Sequence, residues 1–356
     1  MEYDMKKSIM ILATMLMAGG HLGAQVVQKN EAVVVYYMPK TELVIELAYT
    51  IESQTPGIFY QYAKRYLGAD DIITESKTQY SLNSIELGTQ SSADLSRSYQ
   101  VVAQKGIQTQ LVSLSDDGRL LGYNIGNSPS DTHKEWFVSN TSKTSTESTE
   151  VMPLLEEQFM AGTTAKMAEG AAKQIYRIRE TRLNILAGEV EHVPADGVAM
   201  KLVLDELDKK EQELVELFIG KTTTSSHTYT LCYTPDNKSN ITKNEVVCRF
   251  SQHTGVVAAN DLSGTPVYIN MTATKPILLD AEVVNSKAPL LSQLYYNLPG
   301  QAQIEITYNG NKLCAGKYPI AQYGIAIPLP LELFMSKTAP TIHINSTTGN
   351  IQSIEQ

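Results

Sequence analysis

The sequence predicts an α+β fold: two β-rich domains with a long antiparallel helical hairpin between them in sequence. Three observations carry this reading. Residues 32–124 alternate apolar and polar side chains with turn signals between the runs, and the same texture returns from Lys221 onward. Between these regions lie two patterns of helical period, roughly Ala165 to Ala187 and Gly197 to Ile219. The stretch SNTSKTSTESTE, Ser139 to Glu150, has no apolar residue and separates the first β-rich region from the helices.

Residues 1–24 are expected to be a signal peptide. Lys6 and Lys7 precede the apolar run Ile9 to Ala18, and small residues lead to Ala24. A start at Met5 fits as well. The run is too short to span a bilayer, which takes about 20 residues, so no transmembrane anchor is expected in the mature chain. Gln25 stands where a lipoprotein would carry its lipid-bearing cysteine. The expected location is therefore exported, periplasmic or associated with the outer envelope, or extracellular.

The N-terminal β-rich domain, 25–138, holds one short helix. VVVYY and TELVIELAYTIE flank an expected turn at Pro39. PGIFYQYAKRYLG reads as the helix, with Phe59, Tyr62, Ala63 and Tyr66 on one face. That stripe suits a buried face better than a sugar platform, because aromatic rings supply large buried areas. SDDGRLLGYNI carries the Asp117-Gly118 signal of a hairpin. A Ser/Thr-rich linker follows at 139–152.

The helical hairpin is expected over 153–220. Ala168, Ala171, Ile175, Ile178 and Ile185 step along one side of the first helix, interrupted by Arg182. Met200, Val203, Leu207, Leu214 and Leu217 answer on the second, interrupted by Lys210. Gly188 supplies a C-terminal stop, and Pro194 and Asp196 a start. The bend between them gathers Glu189, Glu191, His192 and Asp196, a set that in isolation could bind a metal or work as acid and base. A turn solvates such charges and Asp196 favours a helix start, so they read as a bend and not a site. Asp205 with Lys209 and Glu206 with Lys210 have the spacing of surface support pairs.

The C-terminal β-rich domain, 221–356, reads as the runs SHTYTLCYT, EVVCRF, GVVAA, TPVYI, LLSQLYYNL, QAQIEITYN, YGIAIPL and PTIHI. VYYMPKTELVIELAYT and LYYNLPGQAQIEITYN share an aromatic pair, a proline and an alternating strand. SDDGRLLG, QHTGVVAA and STTGNIQS each set a glycine turn before a strand. Duplication and generic hairpin chemistry both account for this. Cys232 and Cys248 are expected to stay apart: their strands would face them to opposite sides if paired with apolar faces matched, and Cys314 stays open as a partner for either.

The sequence carries none of the local motifs of hydrolytic or phosphate chemistry. His133, His192, His227, His253 and His343 lack the spacing of a zinc protease, and no G-x-S-x-G elbow occurs. NGNKLCAGKYP tempts as a phosphate loop, but the spacing is one residue too long and Tyr318 replaces the Mg²⁺-binding hydroxyl. Asn309-Gly310 reads as a hairpin turn instead. No residue is assigned a catalytic, cofactor-binding or metal role, and no cofactor is expected. Losing Glu2, Asp4, Lys6 and Lys7 leaves the net charge at −9, which argues against a nucleic-acid partner.

YYMPKTELVIEL, GIFYQYAKRYLGADDIITE, RETRLNILAGEVEHVPADGVAMKLVLDELDKKEQELVELFIGKT, HTGVVAANDLSGTPVYI and AQYGIAIPLPLELF together resemble an uncharacterised family of exported Bacteroides-type envelope proteins, a domain of unknown function. The resemblance runs along most of the mature chain. It implies the cell envelope of a gut anaerobe and brings no catalytic or binding residue with it.

Three functions compete. A non-enzymatic envelope protein acting through protein contacts is favoured by Leu183, Ile185, Leu186, Val190, Val193, Val198, Met200, Leu202 and Leu204, which crowd the hairpin tip. The surplus must dock on a partner or, the simpler case, on the protein's own β domains. The unknown partner would be an envelope protein or a glycan. A glycan-binding module is suggested by 19 tyrosines and would show several on one exposed groove. A hydrolase would assemble its site from distant segments.

Overall fold

Val33–Thr55 is one strand of 23 residues, β1, in which Leu43, Ile45 and Leu47 alternate onto a single buried face. The computed structural model describes residues 33–103, 107–126, 153–189, 197–236, 241–274, 293–335 and 338–355. The expected signal peptide, the linker and, at the bend, Glu191, His192 and Asp196 lie outside the described residues. Pro39 does not make the expected turn; β1 runs straight through it. Proline is tolerated in strands at edges and irregularities, and both apply here. The register slips between Tyr37 and Met38, and the strand on the other side of β1 covers only Leu43 to Thr55.

After β1 come a 3₁₀ turn, Tyr60–Tyr62, and a short helix α1 (Ala63–Leu67), stopped by Gly68 in the left-handed region. Then follow β2 (Lys77–Val102), β3 (Val112–Leu114), β4 (Leu120–Tyr123) and the helices α2 (Glu156–Phe159), α3 (Thr164–Ala187) and α4 (Gly197–Ile219). The remaining strands are β5 (Lys221–Tyr233), β6 (Ile241–Ser251), β7 (Gly255–Val257), β8 (Thr265–Thr274), β9 (Tyr295–Tyr308), β10 (Asn311–Pro328), β11 (Thr341–Ile344) and β12 (Ile351–Glu355).

The molecule is β-rich with several sheets and a few helices. The sheets run β2-β1-β5, β10-β9-β8-β6-β7 and β12-β11-β4-β3. The first and third thus take strands from both sides of the helices, so the two expected β domains are only partly visible. Leu43, Ile45 and Leu47 pack against Val267, Ile269 and Met271 of β8 and Ile304 and Ile306 of β9, joining the first two sheets face to face. The third sheet closes the Tyr36 end of β1 with Leu120, Tyr123, Ile342 and Ile344.

The two resembling segments fold alike. β9 also runs unbroken through its proline, joining two runs that the sequence separates. Opposite each proline region the partner strand carries extra residues: Leu95–Arg97 in β2 and Ala321–Gly324 in β10. Each insertion reaches the other hairpin. Arg97 donates to the Ala321 carbonyl at 3.1 Å and to Asn297 Oδ1 at 2.7 Å. The Gln322 amide accepts from Thr41 N–H at 2.8 Å and donates to its carbonyl at 2.8 Å, taking the place of a strand neighbour where β5 does not reach. The correspondence stops there, since β5 follows β1 in sequence whereas β8 precedes β9. The three glycine turns hold as read: Gly118, Gly255 and Gly349 have φ of 84°, 78° and 74°.

Candidate functional site

The helical pair stands on α1. Phe59 and Ala63 pack against Ala168, Ala171, Ala172 and Ile175 of α3 and against Leu214 and Phe218 of α4. The Phe59 and Phe218 rings lie 5.3 Å apart. The aromatic stripe is therefore a core face, with Tyr62 and Tyr66 at its rim. Gly57 lets the backbones close: a Cβ there would lie 2.3 Å from the Leu217 carbonyl oxygen, which also accepts from Phe59 N–H at 2.7 Å.

Above this base the seam turns ionic. Arg182 of α3 pairs with Asp208 and lies 3.1 Å from Glu211 Oε2, while Arg179 Nε donates to Glu211 Oε1 at 2.6 Å. The expected interruption at Lys210 is one residue off. Lys210 is exposed and pairs with Glu213 at 2.7 Å, and Glu211, 13% exposed, faces the arginines. Paired interruptions keep both charges neutralised within the seam.

Toward the tip the cover disappears. Ala172, Tyr176, Arg179, Leu183 and Leu186 follow a four-three-four-three step along one face of α3. Ala172 is buried, and the Tyr176 hydroxyl donates to the Tyr66 carbonyl at 2.7 Å. Beyond α1, Leu183 and Leu186 of this stripe and Val198 and Leu202 of α4 are 62–81% exposed. The docking of these side chains on the β sheets, the simpler expectation, is not found among the described residues. Gly188 ends α3 at φ 75° as read, and Glu189 beside it is exposed. Among the described residues no three His, Cys, Asp or Glu side chains could together hold a metal ion.

Other candidates are placed as follows. Ser225 Oγ lies 2.9 Å from His227 Nε2, and the imidazole stacks on Tyr49 at 5.6 Å, yet among the described residues no carboxylate hydrogen-bonds this ring. His253 follows β6 in the turn before β7 and His343 lies on β11, while His133 and His192 lie outside the described residues. Many tyrosines are distributed through the cores: Tyr36, Tyr99, Tyr123 and Tyr295 in one, Tyr229, Tyr233 and Tyr308 around another. Asn309 and Gly310, with φ of 49° and 77°, form the β9–β10 hairpin turn, and Lys317 pairs with Gln303 in the ladder.

Cys232, Cys248 and Cys314 are all free. The expected separation of Cys232 from Cys248 holds for another reason than parity. Their strands do not pair: β5 lies on β1, and β6 lies on β8 in the facing sheet. Burial pushes the Cys248 thiol up to about 12.

No helix among the described residues is long and apolar enough to cross a membrane. The family described as a domain of unknown function (DUF4831) matches residues 32–352. No curated protein and no solved structure matches the chain.

Proposed function

We propose, for a chain that belongs to the DUF4831 family, a non-enzymatic role exerted through protein contacts at the tip of the helical hairpin. The observation that carries the reading is the exposed set Leu183, Leu186, Val198 and Leu202, beyond the buried cluster of Phe59, Ala168, Ile175, Leu214 and Phe218. Exposed apolar groups gathered at one place are characteristic of interaction surfaces. The exposed acidic Glu189 at the end of α3 makes a protein partner a better fit than a lipid interior, where charge is costly.

The two alternatives have less support. Many tyrosines lie in or around the cores, which counts against a glycan platform, and the Ser225–His227 pair lacks an orienting acid among the described residues. Export to the envelope belongs to the same proposal, on the basic, apolar and small-residue order of residues 1–24. Intact mass of the native protein tests it by the loss of that segment.

The contact itself is tested with a photo-reactive residue placed at Leu183 or Leu202 in the native host, and at Ser84 on the exposed polar sheet face as the control. A discrete cross-linked product specific to the two tip positions is expected. Equal yields at all three positions would overturn the reading.

A further inference from the structure

The clasp between the two hairpins encloses a second feature, unrelated to the hairpin tip. Where the β2 insertion, the end of β5 and the β10 insertion converge, a cleft of about 260 Å³ is lined by Lys40, Asp94, Ser96, Thr234, Asp236 and Gln322. Its volume sits just below the ~300–1,000 Å³ of ordinary small-molecule sites.

The wall is held rigidly. Besides its two bonds to Thr41, Gln322 donates to the Pro235 carbonyl at 3.2 Å, tying β10 to β5. Asp94 is the unusual member, because it is only 9% exposed. Its Oδ1 accepts from Ser96 N–H at 3.1 Å and from Ser96 Oγ at 2.6 Å. Its Oδ2 has no hydrogen-bond partner among the described residues. Lys40 lines the same cleft, and among the described residues none forms an ion pair with it. Ser96 thus fixes the carboxyl through one oxygen, and the other is left open to a donor in the cleft. The hydroxyls of Ser96 and Thr234 and the exposed Asp236 complete a set that carries both signs of charge within one small volume.

We propose that this cleft binds a small zwitterion of the free amino-acid class. The ligand's ammonium would take Asp94 Oδ2, and its carboxylate would take Lys40. A simple amine leaves Lys40 unanswered, and a simple carboxylate leaves Asp94 so. Charge-assisted hydrogen bonds at both ends are the stronger kind and reward the molecule that carries both groups.

Calorimetric titration of the full chain tests this with alanine, ethylamine and propionate, the latter two being alanine without its carboxylate and without its amine. Alanine is expected to bind at least tenfold more tightly than either. Asp94→Asn and Lys40→Met should each weaken alanine about tenfold. Lys40→Met should leave ethylamine unweakened, a split that general loss of structure would not produce. Asp236→Asn removes a negative charge from the exposed rim of the cleft and should weaken alanine less than the other two. Absence of alanine binding at 100 mM, about the weakest affinity such a titration reads, overturns the proposal. So do equal affinities for the three probes, or an affinity for alanine that none of the three variants changes.

Discussion

The Tyr36 hydroxyl accepts from Tyr295 N–H at 2.7 Å and lies 3.2 Å from the Tyr295 carbonyl, to which it donates, so one side chain of β1 satisfies the backbone where β9 begins. These residues belong to the two similar aromatic-proline segments, which meet in the core. Replacing Tyr36 by Phe would leave both Tyr295 groups unpaired in a fully buried place. The expected loss is about 1–3 kcal/mol, read by urea unfolding. Burial also holds the Tyr36 phenol well above its ordinary range. Its contribution is therefore complete below the unfolded value of about 10 and lost as pH rises toward the folded one. Alkaline unfolding should flatten in Tyr36→Phe compared with the native chain.

Gln322→Glu keeps an acceptor for Thr41 N–H but places a carboxylate against the carbonyls of Thr41 and Pro235. The new group's folded pKa should lie above its unfolded value of about 4.3. Its neutral form then stabilises below that value, and the stabilisation is lost as pH rises through the folded one. The deficit against the native chain should be larger at pH 7 than at pH 4, as thermal unfolding at the two values would show.

The hairpin should respond oppositely at its two ends. Leu214, 1% exposed, should cost about 2–5 kcal/mol on replacement by Ala. Leu202→Asp, at a side chain 62% exposed, should change stability by no more than about 0.5 kcal/mol. A large loss from Leu202→Asp would mean that the tip is packed within the chain.

Glu46 and Glu86 stand directly opposite one another in the β1–β2 ladder. Like charges so placed repel, and Glu86→Lys should stabilise by about 0.2–1 kcal/mol, less at high salt. Chemical unfolding at two salt concentrations checks both statements.

Thiol labelling of the folded chain should be ordered. Cys232 is exposed and should react first, and Cys314, half-buried, should follow. Cys248 should wait for unfolding, since it is buried and its thiol is held near 12. Simultaneous modification of all three would contradict the placement of β6 in the core.

Local order was legible in the sequence to the extent that it depends on neighbours in the chain. Gly68, Gly118, Gly188 and Asn309-Gly310 mark the stops and turns where they were read, because positive φ is a property of the residue itself. The α3 seam was legible through period alone. Pro39 misled because a proline signals a turn only when no strand neighbour competes, and here β2 pairs across it. The partnership of β5 with β1 could not be read from spacing, since nothing in either run names the other. Nor could the cleft, whose Lys40, Asp94, Asp236 and Gln322 come from four segments and are gathered by two insertions that look like ordinary strand.

The threading of the first sheet also sets a timetable for the chain. As synthesis proceeds, β1 and β2 can pair early, but Leu43, Ile45 and Leu47 have nothing to cover them until residues 267–306 have been made. For most of its production the N-terminal third is an incomplete layer with an apolar face and an open edge, the kind of surface that recruits other chains. Cutting the gene at either end of the helical pair would therefore leave that apolar face uncovered in the N-terminal fragment.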